Sequence, residues 1–397
     1  MKKKYIIISV FAVLCVLITF LGISVLQYST TYIYRVIANQ ESTVEDYTFF
    51  PKVEIKKSDT TYKYKRNIDN EIGNMDIEYQ DSDGENKKAL KEVLEKSDTT
   101  SFLIIKDDEI IYDYYGENHD ESSIVTSFSM VKSVDSLLIG CAIEDGYITS
   151  VEDPISNYIN EFEGKEIGEI TIEELLEMRS TIAYSEGSFL WYGDDTLTYY
   201  FDDLRTLALG NTTLNKDISG FHYNNYHPLL LGIILERSTG VSVSQYLETK
   251  IWQPIGSEYD ASWSIDSKET SFEKMESGLN FRAVDFAKVG SLILHDGNWN
   301  EQQIINSDWI KQSCYPQQAY NEQEYLDTFL EGTDISYNYM WYSIQNSNGE
   351  MDIFAWGKYG QFLYISPSQN IVIVRTGVTD NPIVNWPNVL MEISELN

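Results

Sequence analysis

Ser129-Met130-Val131-Lys132 is entered from Ser123-Ile124-Val125-Thr126-Ser127-Phe128 and followed by Val134, Leu137, Leu138, Cys141 and Ala142. The apolar spacing is helical and stops at Glu144-Asp145-Gly146, a combination that ends helices. Ser129 therefore falls at the first turn of a mostly buried helix, with Lys132 one turn on and on the same face. A serine alcohol is a poor nucleophile until a base removes its proton. A lysine serves as that base only when neutral, a form that burial and a helix N-terminus favour. The alternative is a helix cap beside a snorkelling lysine. A second match, Ser271-Phe272-Glu273-Lys274, lies among Lys268, Glu269 and Glu276 with no apolar helix behind it, and reads as a solvated loop.

Outward from this stretch, 397 residues exceed what one small core organises, so two lobes or domains are expected. A net charge of −33 argues against nucleic acid and anionic surfaces as partners. Three cysteines cannot make a disulfide framework, and four histidines show no metal-ligand spacing. His222 and His227 remain possible site neighbours. No cofactor and no metal is called for. Lys2-Lys3-Lys4 precede an uncharged run from Tyr5 to Leu26, roughly 33 Å as a helix and enough to span a bilayer. Tyr28, Tyr32 and Tyr34 then read as an interfacial aromatic belt. The expectation is a single-pass membrane anchor over residues 1–26 with everything beyond outside the cytoplasm. A cleaved secretion signal is the alternative. Residues 27–84 read as a juxtamembrane spacer with one extended piece near Phe49–Val53, and 85–397 as the functional domain.

Within that domain a helix is predicted over Asn86–Lys96, then a hairpin of Ser101–Lys106 and Glu109–Tyr115 turning at Asp107-Asp108. Helices are predicted over Thr171–Arg179, Tyr226–Ser238 and Val284–His295. Strands return at Asp352–Trp356, Gln361–Ser366 and Ile371–Thr376. Strands at both ends and helices between them predict an α+β fold. One antiparallel sheet is built from the N- and C-terminal strands, flanked by helices, with a mainly helical lobe inserted. Partners for Ser129 and Lys132 are sought at element boundaries: Tyr223-Asn224-Asn225 before a helix, and Lys358-Tyr359-Gly360 between late strands. Each triplet alone is common, since Tyr158-Ile159-Asn160 and Lys288-Val289-Gly290 match the same patterns.

The ordered set resembles the serine β-lactamase and penicillin-binding-protein superfamily, nearest its class C-like, esterase and aminohexanoate-oligomer hydrolase branch. Leu175–Ser180, Phe221–Asn225 running to Gly232 and Gly240, Gly278–Gly290, and Trp356–Gln361 into Pro367 extend the resemblance from about residue 85 onward. It implies Ser129 as the acylated nucleophile, Lys132 as its base and Tyr223 as proton shuttle. It implies Asn225 as a substrate contact and Lys358 as the third-motif cation beside Gly360. The backbone N–H groups of Ser129 and Gln361 would form an oxyanion hole, and Tyr184 and Trp191 would be substrate-side aromatics. Tyr359 stands where the family keeps a small residue, which favours an ester, an amide or a D-amino-acid substrate, small or cell-wall-derived, over a β-lactam. Competing readings are a penicillin-sensing receptor, for which no output module precedes the apolar run, and a catalytically silent wall-binding module.

Overall fold

The computed structural model describes residues 28–81, 84–187, 192–315, 335–378 and 385–395, with Tyr5, Thr19 and Gly22 as isolated positions. Its central element is an eight-stranded sheet. In spatial order the strands are Ile335–Asn338, Trp341–Gln345, Met351–Gly357, Gln361–Ser366, Ile371–Gly377, Thr99–Lys106, Glu109–Tyr115 and Lys65–Arg66. The two ends of the chain meet at its middle, where Ile373 faces Ile104 in an antiparallel ladder. Asp107 and Asp108 turn the early hairpin with φ of 51° and 58°, the pair of left-handed residues that a tight hairpin favours. Ile371–Gly377 is buried residue after residue, because helices cover both faces and alternation has no solvent side to follow. Along Gln361–Ser366, Phe362 meets Trp386 of the Trp386–Glu395 helix, while Leu363 lies under Gly290 of the Ala283–Leu294 helix.

Between the sheet's two halves runs the helical lobe, crossed by a second, four-stranded sheet. That sheet orders Lys52–Ile55, Ala261–Ser264, Leu279–Phe281 and Val125–Thr126. The Met130–Glu144 helix is buried from Met130 to Ala142 and packs on Tyr226–Thr239, which ends at Gly240 with φ of 75°. The predicted helix over Asn86–Lys96 is shorter than expected. Asp76–Asp81 pairs with Gly84–Ala89 as a hairpin, and the helix begins only at Leu90.

The N-terminal expectations are corrected. Among the described residues no helix is long and apolar enough to cross a membrane, and the Tyr5–Leu26 run lies almost wholly outside them. Two of the tyrosines assigned to a lipid interface, Tyr28 and Tyr32, have protein neighbours, whereas Tyr34 is exposed. Tyr32 is fully buried, its ring tilted against those of Phe201 and Tyr28, and Tyr28 also meets Tyr192. Tyr32 and Tyr34 belong to the helix Thr30–Asn39, whose Tyr32, Ile33, Arg35 and Val36 form its buried face. The expected single-pass anchor is therefore not supported, and the placing of the domain outside the cytoplasm, which followed from it, loses its ground. Nor is the stretch read as a spacer extended from the body of the protein. Lys52–Ile55 pairs with Ala261–Ser264, Tyr64 is buried against Ser291, and Lys65–Arg66 joins the main sheet.

Candidate active site

Val125–Thr126 pairs with Asn280–Phe281, and the Ser127 N–H donates to Leu279 O at 2.8 Å, so the smaller sheet fixes the chain that enters the helix. Phe128 then adopts φ of 45°, an uncommon conformation for a bulky residue directly before Ser129. Gly357, at the end of a central strand, passes close to this turn. A Cβ there would lie 2.4 Å from Ser127 O and 3.2 Å from Ser129 N, so only glycine lets the strand approach.

Lys132 is 2% exposed, and its Nζ donates to Ser129 Oγ at 2.8 Å and to Glu276 O at 2.9 Å. The same ammonium position lies 4.9 Å from the centre of the Tyr223 ring. Ser129, Lys132 and Tyr223 are thus drawn together from two helix starts. Asn225 stands at the start of the Tyr226–Thr239 helix and lines the cleft with Ser129. Its Nδ2 donates to Tyr184 Oη at 2.8 Å, and its Oδ1 accepts nothing among the described residues. Asn224 is structural, bonding Ile182 O and the Tyr226 N–H. Burial, reinforced by Glu186, pushes the Tyr184 phenol well above its ordinary value. Trp191 lies outside the described residues.

Lys358 lines the same cleft, but its Nζ reaches Ser42 Oγ at 3.3 Å, a partner from the far end of the chain. Tyr359, with φ of 66°, turns its ring onto Phe128 and its hydroxyl to Ser42 O. The Gln361 side chain is committed elsewhere. It is fully buried, donating to Gly377 O at 2.6 Å and accepting from the Gly377 N–H. Gly360 takes φ of 69° and is held from below by Arg375, a residue sequence reasoning missed. The buried Arg375 guanidinium donates to Tyr359 O, Gly360 O and Ser97 O and stacks on Trp386. Burial lowers its pKa to about 9.

The second Ser-x-x-Lys copy differs from the solvated loop expected. Ser271 is exposed and bonds Lys268 O, whereas Lys274 is buried against Glu276 at 2.8 Å and lies over the Tyr199 ring. Serine and lysine there point apart. His227 is a core residue bonded to Ser180 at 2.7 Å, its pKa lowered to about 3 by burial and by nearby His222. His222 reaches Tyr184 O.

At this helix start a buried lysine thus meets a serine hydroxyl, with a phenol ring and an open amide oxygen nearby. The chain belongs to the beta-lactamase family, whose profile matches residues 87–384, and it is a serine hydrolase of that family. It is similar to the 6-aminohexanoate-dimer hydrolase of Paenarthrobacter ureafaciens, 26% identical over 322 residues that cover 75% of this chain and 76% of that protein. Its fold is shared with a Bacillus anthracis protein assigned as a 6-aminohexanoate-dimer hydrolase. The TM-score is 0.70 at 24% identity, covering 88% of this chain and 93% of that one. It is shared also with a class C beta-lactamase, at a TM-score of 0.57 and 15% identity over 78% and 94% of the two chains.

Proposed function

We propose that the protein hydrolyses short linear amides or esters through an acyl-enzyme on Ser129, with amino-acyl amides of the 6-aminohexanoate-dimer type as the preferred class. The carrying observation is the 2.8 Å contact of Lys132 Nζ with Ser129 Oγ, made by a buried lysine whose other partner is a neutral carbonyl. Lys132 Nζ takes the Ser129 proton as Oγ bonds the substrate carbonyl carbon. Tyr223 relays a proton to the leaving amine or alcohol as its bond to that carbon breaks. Water, deprotonated through the same groups, then releases the acid and restores Ser129. The N–H groups of Ser129 and Gln361 meet the developing oxyanion, where each donor contributes about 3–4 kcal/mol. Asn225 offers its open Oδ1 to a substrate N–H, and Lys358 offers a cation at the rim. The dimer hydrolases among its relatives and the bulky Tyr359 in the third motif favour linear substrates over β-lactams.

The test is a fluorophosphonate probe followed by a panel of p-nitrophenyl esters, nitrocefin, D-Ala-D-Ala peptides and 6-aminohexanoate dimer. Ser129→Ala should abolish labelling, while Ser271→Ala leaves it intact. Labelling that survives in Ser129→Ala would refute the assignment. Nitrocefin as the best substrate would overturn the choice of class.

A further inference from the structure

The cleft beside Ser129 encloses about 310 Å³, near the small end of the range for ligand sites. One of its walls comes from outside the family match, which begins at residue 87. Gln40, Glu41 and Ser42 line the same space as Ser129, Asn225 and Lys358. They follow the helix Thr30–Asn39 through a sharp turn at Gln40, whose φ of 55° and ψ of −70° are strained for a residue with a side chain.

This segment is tied to both lobes. On the helical side, Arg35 is buried and donates to Tyr200 O at 3.0 Å and Asp266 O at 2.6 Å. Just beyond the turn, buried Asp46 accepts from Tyr199 Oη at 2.6 Å, and Tyr199 itself lines the cleft. On the sheet side, Ser42 takes the Tyr359 hydroxyl on its carbonyl and Lys358 Nζ on its Oγ. Residues 40–46 therefore bridge the two lobes beside the cleft, anchored on each bank.

We infer that this crossing segment is the length gauge of the site: Glu41 and Ser42 stop the end of the substrate's acyl chain, admitting short acyl donors and excluding long ones. The inference rests on the Ser129 acyl-enzyme reading. Two variants of the full chain test it, one opening the end wall (Glu41→Gly with Ser42→Gly) and one thickening it (Ser42→Trp). The measurement is kcat/KM for p-nitrophenyl acetate, hexanoate and dodecanoate, alongside fluorophosphonate labelling and a thermal melt.

The dodecanoate-to-acetate ratio should rise about tenfold or more in the opened variant, the scale on which a pocket discriminates added methylenes. It should fall in Ser42→Trp, which adds bulk, gives up the Lys358 contact with Oγ but keeps the Tyr359 anchor on the backbone carbonyl, and stands alone if the double variant melts early. A ratio within about threefold of the parent in every folded variant, with Ser129 still labelled, overturns the length gauge and leaves the acyl-enzyme intact. An unlabelled parent that turns over no ester overturns both.

Discussion

Lys132 makes one contact that the sequence announces and one that it hides. Ser-x-x-Lys at a helix start places Nζ on Oγ by helix geometry alone, whereas Glu276 O is a backbone acceptor that any residue type could supply. Tyr223 was legible for the first reason, since its triplet precedes an apolar helix, and its ring does face Lys132. Tyr223→Phe keeps that ring and removes the oxygen. Its kcat/KM on the best substrate should fall on the order of 10²–10⁴ with little change in melting temperature. A folded variant within threefold of the parent would leave Lys132 as the sole base. Asp135, one turn beyond Lys132, is buried, and neither of its oxygens is hydrogen-bonded among the described residues. Burial pushes its carboxyl well above the ordinary 3.8, with Lys132 opposing and Glu276 adding to the rise. An acid with a higher pKa folded than unfolded costs no stability below the unfolded value. Above it the cost grows with pH, because the unfolded chain ionises first. Asp135→Asn should therefore match the parent in urea titrations near pH 3 and become progressively the more stable from about pH 4 towards 7. An advantage that does not change with pH would mean that Asp135 is ionised in the fold.

At the scale of elements, the loop from Gly357 to Gln361 owes its shape to a residue that no motif includes. Arg375 satisfies the carbonyls of Tyr359, Gly360 and Ser97 at 2.9, 2.6 and 2.6 Å, the first and last in buried contacts and Gly360 in a part-buried one. Arg375→Met keeps the bulk and leaves those acceptors bare, each worth about 1–3 kcal/mol when buried without a partner. Urea unfolding should show a loss of about 3 kcal/mol or more, and one under about 1 kcal/mol would show the carbonyls finding other donors. From sequence, Arg375 was one cation in the run Ile371–Thr376, and nothing local distinguishes a staple from an edge charge. Elements with strong local punctuation were read well, as in the Asp107-Asp108 hairpin and the helix that stops at Gly240, whereas the helix predicted over Thr171–Arg179 is only Ile172–Leu176, started by a capping box of Thr171 and Glu174 that the reading did not use. Gly84–Ala89 was misread because Glu85, Asn86, Lys87 and Lys88 carry no β alternation. Their pairing is decided by the facing strand Asp76–Asp81.

Across the whole molecule, 62 acidic against 29 basic side chains set up self-repulsion that the folded form must withstand. Ion pairs such as Lys56–Glu54 and Lys216–Glu166 are exposed and worth little, so screening should help more than it harms. The melting temperature should rise as sodium chloride increases from low to physiological strength and beyond, and a fall would show that the exposed pairs dominate. The two-ended sheet was legible because its strands are apolar runs at either end of a helical middle. The docked helix Thr30–Asn39 was not, since the more hydrophobic run before it drew its tyrosines into a lipid reading. That same sheet has a consequence for how the protein comes into being. Ile104 has to wait for Ile373, so an emerging chain carries Ser129 and Lys132 long before the strand that brings Gly357 beside them. During synthesis the early hairpin exposes an unpaired edge, a template for wrong partners until the last strands arrive. Birth of the polypeptide and birth of the enzyme are separate events, and the interval between them is when chaperones and proteases have their claim.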